Sequence, residues 1–144
     1  MAQNSSPGLE EAYQQAARDA GHQPGACIIP PDDMPNIVFV HPDPDQGWEE
    51  IGEYMLADAR SYSEWSNEAG LQATVVSNSK TVADLRDEQG PYRVVTAAGA
   101  VELINTWGSL PLHPLCGGIP AELAWKYLRR VADEVVPAMA SVTS

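Results

Sequence analysis

Basic residues are scarce in this chain of 144: eight lysines and arginines stand against twenty aspartates and glutamates, a formal charge of −12 at neutral pH. Such a surface repels phosphate backbones and anionic headgroups, which argues against nucleic acid and membrane surfaces as partners. Long apolar runs are missing too, and no stretch approaches the roughly 20 residues that span a bilayer. Residues 1–8 are polar and lack the basic start and apolar core of a secretory signal. Two cysteines, Cys27 and Cys116, do not make a disulfide framework. These absences predict a reduced, cytoplasmic protein. Repeats and low-complexity segments are also lacking. What the chain does have is 44% apolar residues, enough for one folded domain with a moderate core.

Residues 7–20 read as a helix. Ser6 can cap it, Pro7 suits the first position and Gly21 supplies a stop. Leu9, Ala12, Tyr13, Ala16, Ala17 and Ala20 form one stripe. Pro24, Pro30, Pro31 and Pro35 then force an extended connection. Residues 36–41, short, apolar and β-branched, predict a buried strand. Asp43, Pro44 and Gln46 open a helix over 43–70, with Trp48, Ile51, Met55, Ala59 and Tyr62 at helical spacing. Gly47 and Gly52 each weaken it by about 1 kcal/mol relative to alanine, leaving room for a bend. Residues 71–95 form an excursion with an apolar run at 73–76 and a helical turn at 81–86. Thr96 and Gly108 bracket a helix over 96–108. Residues 109–113 predict a second strand, although Pro111 is costly inside a ladder. A strong amphipathic helix follows over 119–136, ended by Pro137. Strands separated by helices predict an α/β protein with parallel βα units.

The densest chemistry lies in Leu112-His-Pro-Leu-Cys-Gly-Gly-Ile-Pro-Ala-Glu-Leu-Ala-Trp125, a strand end, a Gly-Gly turn and a helix start. Gly117 and Gly118 can let a ligand approach the backbone, with free N–H groups offered to a phosphate. They can equally make a tight turn into a packed helix. His113 is either a ligand contact or a histidine held by backbone bonds. Cys116 is either a thiol nucleophile with His113 as base or a small buried thiol. His41 ends the other strand and carries the same pair of readings. His22, His41, His113, Cys27 and Cys116 show no metal-ligand spacing beyond the weak His113/Cys116 pair, so no metal is expected. Glu49, Glu50, Glu53 and Asp58 read as a solvated helix face. Trp48, Trp65, Trp107 and Trp125 read as packing residues.

The segment 112–125 followed by Val135-Val-Pro137 resembles the ending of bacterial luciferase-like flavin-dependent oxidoreductases. So do Val38-Phe-Val-His-Pro-Asp-Pro-Asp45 with Trp48, and Tyr92-Arg-Val-Val-Thr96 before Val101-Glu-Leu-Ile104. The ordered run covers residues 9–137. The resemblance implies a partial TIM (β/α)8 barrel: one incomplete domain supplying its last two to three βα units, with 36–41 and 109–113 as the final two staves. It implies FMN, or deazaflavin as the alternative, as cofactor, no metal, and a monooxygenase reaction on a small organic molecule with reduced flavin and oxygen. His113, Cys116, Gly117 and Gly118 would then face the cofactor and His41 the substrate. An eight-stranded barrel needs all its staves to close. Two further expectations therefore stand beside the enzyme: a non-catalytic piece that pairs with itself or with a chain carrying the N-terminal barrel half, and a small thiol enzyme built on Cys116 and His113.

Overall fold

A computed structural model describes residues 7–27, 29, 31, 33–69 and 77–142. The predicted apolar run at 73–76 and the Ser6 cap lie outside the described residues. The chain divides into two compact units, Met1–Met34 and Pro35–Ser144.

The first unit holds α1, Leu9–Asp19. The helix starts two residues later than Pro7, at an N-cap Gly8 in the left-handed region with no side-chain cap bond. Its end follows the sequence: Gly21, at φ 76, lets its own N–H reach Arg18 O and that of His22 reach Ala17 O, the paired bonds of a glycine-terminated helix. Tyr13 turns its hydroxyl onto the Gly25 N–H at 3.1 Å, tying the proline-rich connection back to the helix.

The second unit is mixed α/β and mostly helical, and its described residues hold two parallel strands. Strand β1, Ile37–Val40, pairs with β2, Tyr92–Val95, in the register Ile37↔Tyr92 to Val40↔Val95. Between them run α2, Pro44–Ala69, and α3, Val82–Asp87. Asp43 caps α2 as its sequence demands, its Oδ1 accepting the N–H groups of Asp45 and Gln46 at 3.0 and 3.3 Å. Thr81 and Asp84 form a reciprocal capping box on α3. After β2 comes α4, Ala97–Trp107, capped by Thr96 and closed by Gly108 at φ 75.

The second strand is therefore a correction. Residues 109–113 form no strand; the strand lies inside the expected excursion, where Tyr-Arg-Val-Val alternates buried and half-buried side chains. Pro111 and Pro114 explain why 109–113 falls short, since they remove the N–H groups a ladder needs. The segment still borders β1: the Val38 N–H, facing away from β2, donates to Pro111 O at 3.0 Å.

The C-terminal helix also differs from expectation. It comprises α5, Ala121–Arg130, a π-helical stretch, Val131–Val135, and α6, Val136–Val142. Pro137 does not end it. The backbone widens just before the proline, with Val136 N–H bonding Val131 O five residues back. Loosening the helix at that point accommodates a residue that lacks an N–H and crowds the preceding turn.

Two clusters cover the two faces of the strands. Ile37, Phe39, Tyr92 and Val94 pack with Trp48, Ile51, Met55 and Leu56 of α2, Leu85 of α3 and Tyr127 of α5. On the other face, Val40 packs with Ala100 of α4 and Val135, and Val95 and Ile104 border them. Parallel strands require this double covering. Gly47 and Gly52 lie within the one continuous helix α2 and are contact points: a Cβ on Gly47 would stand 2.6 Å from Val94 Cγ1, and one on Gly52 would stand 2.4 Å from Val82 Cγ1.

Gly47→Ala should consequently destabilise the chain despite the better helix propensity of alanine. Overpacking against Val94 outweighs the gain of about 1 kcal/mol and leaves a net loss on the order of 1 kcal/mol, readable by urea denaturation. Thr96→Ala should cost about 1 kcal/mol through loss of the α4 cap.

Candidate functional site

The site begins at the free edge of β1. A recess there is lined by Val38, Phe39 and Val40, by Leu112, His113 and Pro114, and by Tyr127, Leu128 and Val131. Its empty space is about 220 Å³, partly open to solvent. The water-sized part of that space holds about one water molecule. The lining is apolar apart from His113 and Tyr127.

Of the residues singled out from the sequence, His113 alone lines this recess, and its side chain is exposed. His41 lies at the end of β1 and is buried, 7% exposed. Its Nδ1 accepts the Asp43 N–H at 3.0 Å, which assigns the proton of the neutral ring to Nε2. Its ring centroid is 6.1 Å from that of Tyr127. His41 thus joins a cluster that the sequence did not reveal. Tyr127 donates to Glu50 Oε2 at 2.8 Å, Lys126 donates to Glu50 Oε1, Phe39 meets the Tyr127 ring edge-on at 5.3 Å, and the Arg130 guanidinium stacks 5.2 Å above it. One guanidinium nitrogen of Arg130, Nη1, is buried with no hydrogen-bond partner among the described residues.

Electrostatics follow from this packing. Burial and the Glu50 carboxylate push the Tyr127 hydroxyl well above its ordinary value, so it stays a donor. Burial pushes Glu50 upward, but the hydrogen bonds from Lys126 and Tyr127 outweigh it and hold the carboxyl below its ordinary value. Glu49 and Glu53 are exposed, as a solvated helix face requires, while Glu50 and Asp58 are half-buried and depart from that expectation. Both flank the apolar stripe of Ile51, Met55 and Ala59, and that neighbourhood was the available signal.

The Gly-Gly turn has a different neighbour. Cys116–Gly118 form a 3₁₀ turn lying on α2. Gly117 sits at φ 56, and a Cβ there would come within 1.8 Å of Tyr54 O. Its N–H donates to Asp58 Oδ1 at 3.1 Å. The N–H groups of Cys116, Gly118 and Ile119 bond His113 O, Leu115 O and Cys116 O. Cys116 is buried, 2% exposed, and burial together with Asp58 pushes its thiol well above the ordinary range. A nucleophilic thiol needs the opposite shift.

No family model, curated protein or solved structure matches the chain. Among the described residues no group of three or more His, Cys, Asp or Glu is placed to hold a metal, and no helix is long and apolar enough to cross a membrane.

A flavin finds only part of what it needs here. The recess is too small for its three-ring system, and the backbone donors of Gly117 and Gly118 are taken, with the Asp58 carboxylate where a phosphate would go. The residues present do not by themselves fit the group.

The Glu50 cluster gives a pH signature. A carboxyl held below its ordinary value stabilises the fold above that value and loses the contribution as pH falls through the folded one. Glu50→Gln should thus be less stable than wild type at neutral pH, by under about 1 kcal/mol for this partly exposed pair. In acid titrations followed by circular dichroism, the gap should close as pH drops from 4.5, the ordinary value, through the lowered one.

Proposed function

We propose that this chain is the C-terminal portion of a luciferase-like flavin-dependent oxidoreductase, a partial TIM barrel whose remaining βα units complete the cofactor pocket. One observation carries the reading: residues 109–113 lie along the free edge of β1, joined by the Val38–Pro111 bond, and lead into a recess that His113 borders. A segment beside a buried parallel strand, leading into a turn at that strand's C-terminal end, suits a barrel rim, where the ligand side lies at the strand ends. The resemblance of 112–125 and 38–48 to the family supports it independently.

Reduced flavin would supply the electrons that activate oxygen against a small organic substrate; a deazaflavin in its place would supply a hydride. The chain's own contribution is narrower. His113 offers a hydrogen-bonding imidazole at the recess mouth; His41, which the family reading assigns to the substrate, lies outside the recess lining, buried at the end of β1. Gly117 and Gly118 serve close packing on α2, so the proposal places no phosphate on them, and Cys116 serves as a buried neighbour of the pocket wall.

A second reading is a non-catalytic piece that pairs with another chain or with itself. Leu115 and Trp125, 63% and 58% exposed around the loop and the start of α5, favour a covered surface there.

FMN titration of the chain, alone and joined to whatever βα units its reading frame carries upstream, tests the proposal by flavin fluorescence. The joined protein should bind, and His113→Ala should weaken binding about tenfold, roughly 1.4 kcal/mol. A joined protein that leaves flavin fluorescence unchanged contradicts the oxidoreductase reading. Light scattering separates the second reading, which requires a dimer or a hetero-complex in place of flavin affinity.

A further inference from the structure

Asp58 stands at a junction of three elements. From α2 its carboxylate accepts the Tyr92 hydroxyl of β2 at 2.8 Å through Oδ2 and the Gly117 N–H at 3.1 Å through Oδ1. Tyr92 is fully buried, Cys116 lies against the same carboxylate, and the bare Cα of Gly117 lets the loop rest on the α2 backbone at Tyr54. Each carboxylate oxygen thus has a donor from a different part of the chain. An asparagine keeps one acceptor but turns an N–H₂ group toward a partner that is itself a donor.

We propose that Asp58 is a positioning residue: its charge fixes the turn at residues 113–119 against α2 and β2, and so sets where His113 stands at the recess. The inference rests on the reading of that recess as part of a ligand site. Packing alone does not explain the arrangement, because a half-buried carboxylate with two donors and a thiol around it costs desolvation unless the negative charge is used. The neighbours report the charge. Burial raises both the Tyr92 hydroxyl and the Cys116 thiol, and Asp58 raises each further, so both remain protonated beside it.

Cys116 supplies the test. In a Cys27→Ser background, iodoacetamide alkylation is measured across about pH 6 to 10, where thiolates form. Wild type should react only at the alkaline end. Asp58→Asn should move the profile to lower pH and raise the rate at about pH 8 at least tenfold, as follows when a thiol ionises about one pH unit lower. A rate that rises equally at every pH signals a turn loosened from α2, which also follows from the proposal once the charge is gone; an unchanged profile overturns it. Should Asp58→Asn not fold, Asp58→Glu, which keeps the charge but moves it by one methylene, takes its place: an alkylation profile shifted along the pH axis supports the contact, and one identical to wild type overturns it. FMN affinity separates this inference from the functional reading. If flavin does not bind the protein joined to its upstream βα units, the oxidoreductase reading falls while the alkylation profile still judges Asp58. If it binds, Asp58→Asn should weaken it about tenfold, and equal affinity in the two proteins overturns the positioning role.

Discussion

A parallel pair of strands has no face to leave in water, because its crossover brings helices to it and its residues are apolar on both sides. In this chain that constraint falls on β1, whose four residues are all buried. One face needs α2 and α5, the other needs α4 and the π-helical stretch, and the edge that β2 leaves free needs a further run of backbone. Residues 109–113 fill that last requirement with one bond to Pro111. Helix α2 must then approach closely, which Gly47 permits against Val94, and the turn before α5 must lie on α2, which Gly117 permits. The glycines follow from the burial of one strand.

The candidate site follows as well. His113 reaches the recess because 109–113 borders β1 and the next turn is held on α2. His41 sits at the end of β1, beside Tyr127 and close enough to Glu50 to act on its charge, and Tyr127 is itself held edge to face by Phe39 of the same strand. In a chain with a net charge of −12, the bonds of Lys126 and Tyr127 to one carboxylate and of Tyr92 and Gly117 to another give two acidic groups internal partners. Two carboxylates of α2 therefore act as structural acceptors, and neither faces water alone.

Local signals were the legible part of the sequence. Asp43, Thr81 and Thr96 mark helix starts and Gly21 and Gly108 mark stops, since capping depends on residues a few positions apart. β1 reads directly from its β-branched run. The β2 strand was obscured by its place in a polar excursion, although Tyr-Arg-Val-Val carries the alternation of a half-covered strand. Residues 109–113 look like a strand by composition, yet Pro111 within them and Pro114 just after cost them the ladder. Pro137 reads as a stop because propensity disfavours it, and the π-helical stretch evades that rule through packing of Val135 against Val40. The partners of Glu50 and Asp58 were not legible for a plainer reason: beside the apolar stripe of α2 the two residues stood out only as candidates for burial. Their donors lie more than thirty residues away, and no local spacing records such a contact.

The claim that residues 109–113 close the free edge of β1 is tested most directly by amide hydrogen exchange at Val38. Its N–H points away from β2, and the Pro111 carbonyl is its hydrogen-bond partner. Protection at Val38 comparable to that at Phe39, inside the β1–β2 ladder, is the predicted result. Exchange at Val38 as fast as at an unpaired edge, with Phe39 still protected, would contradict it.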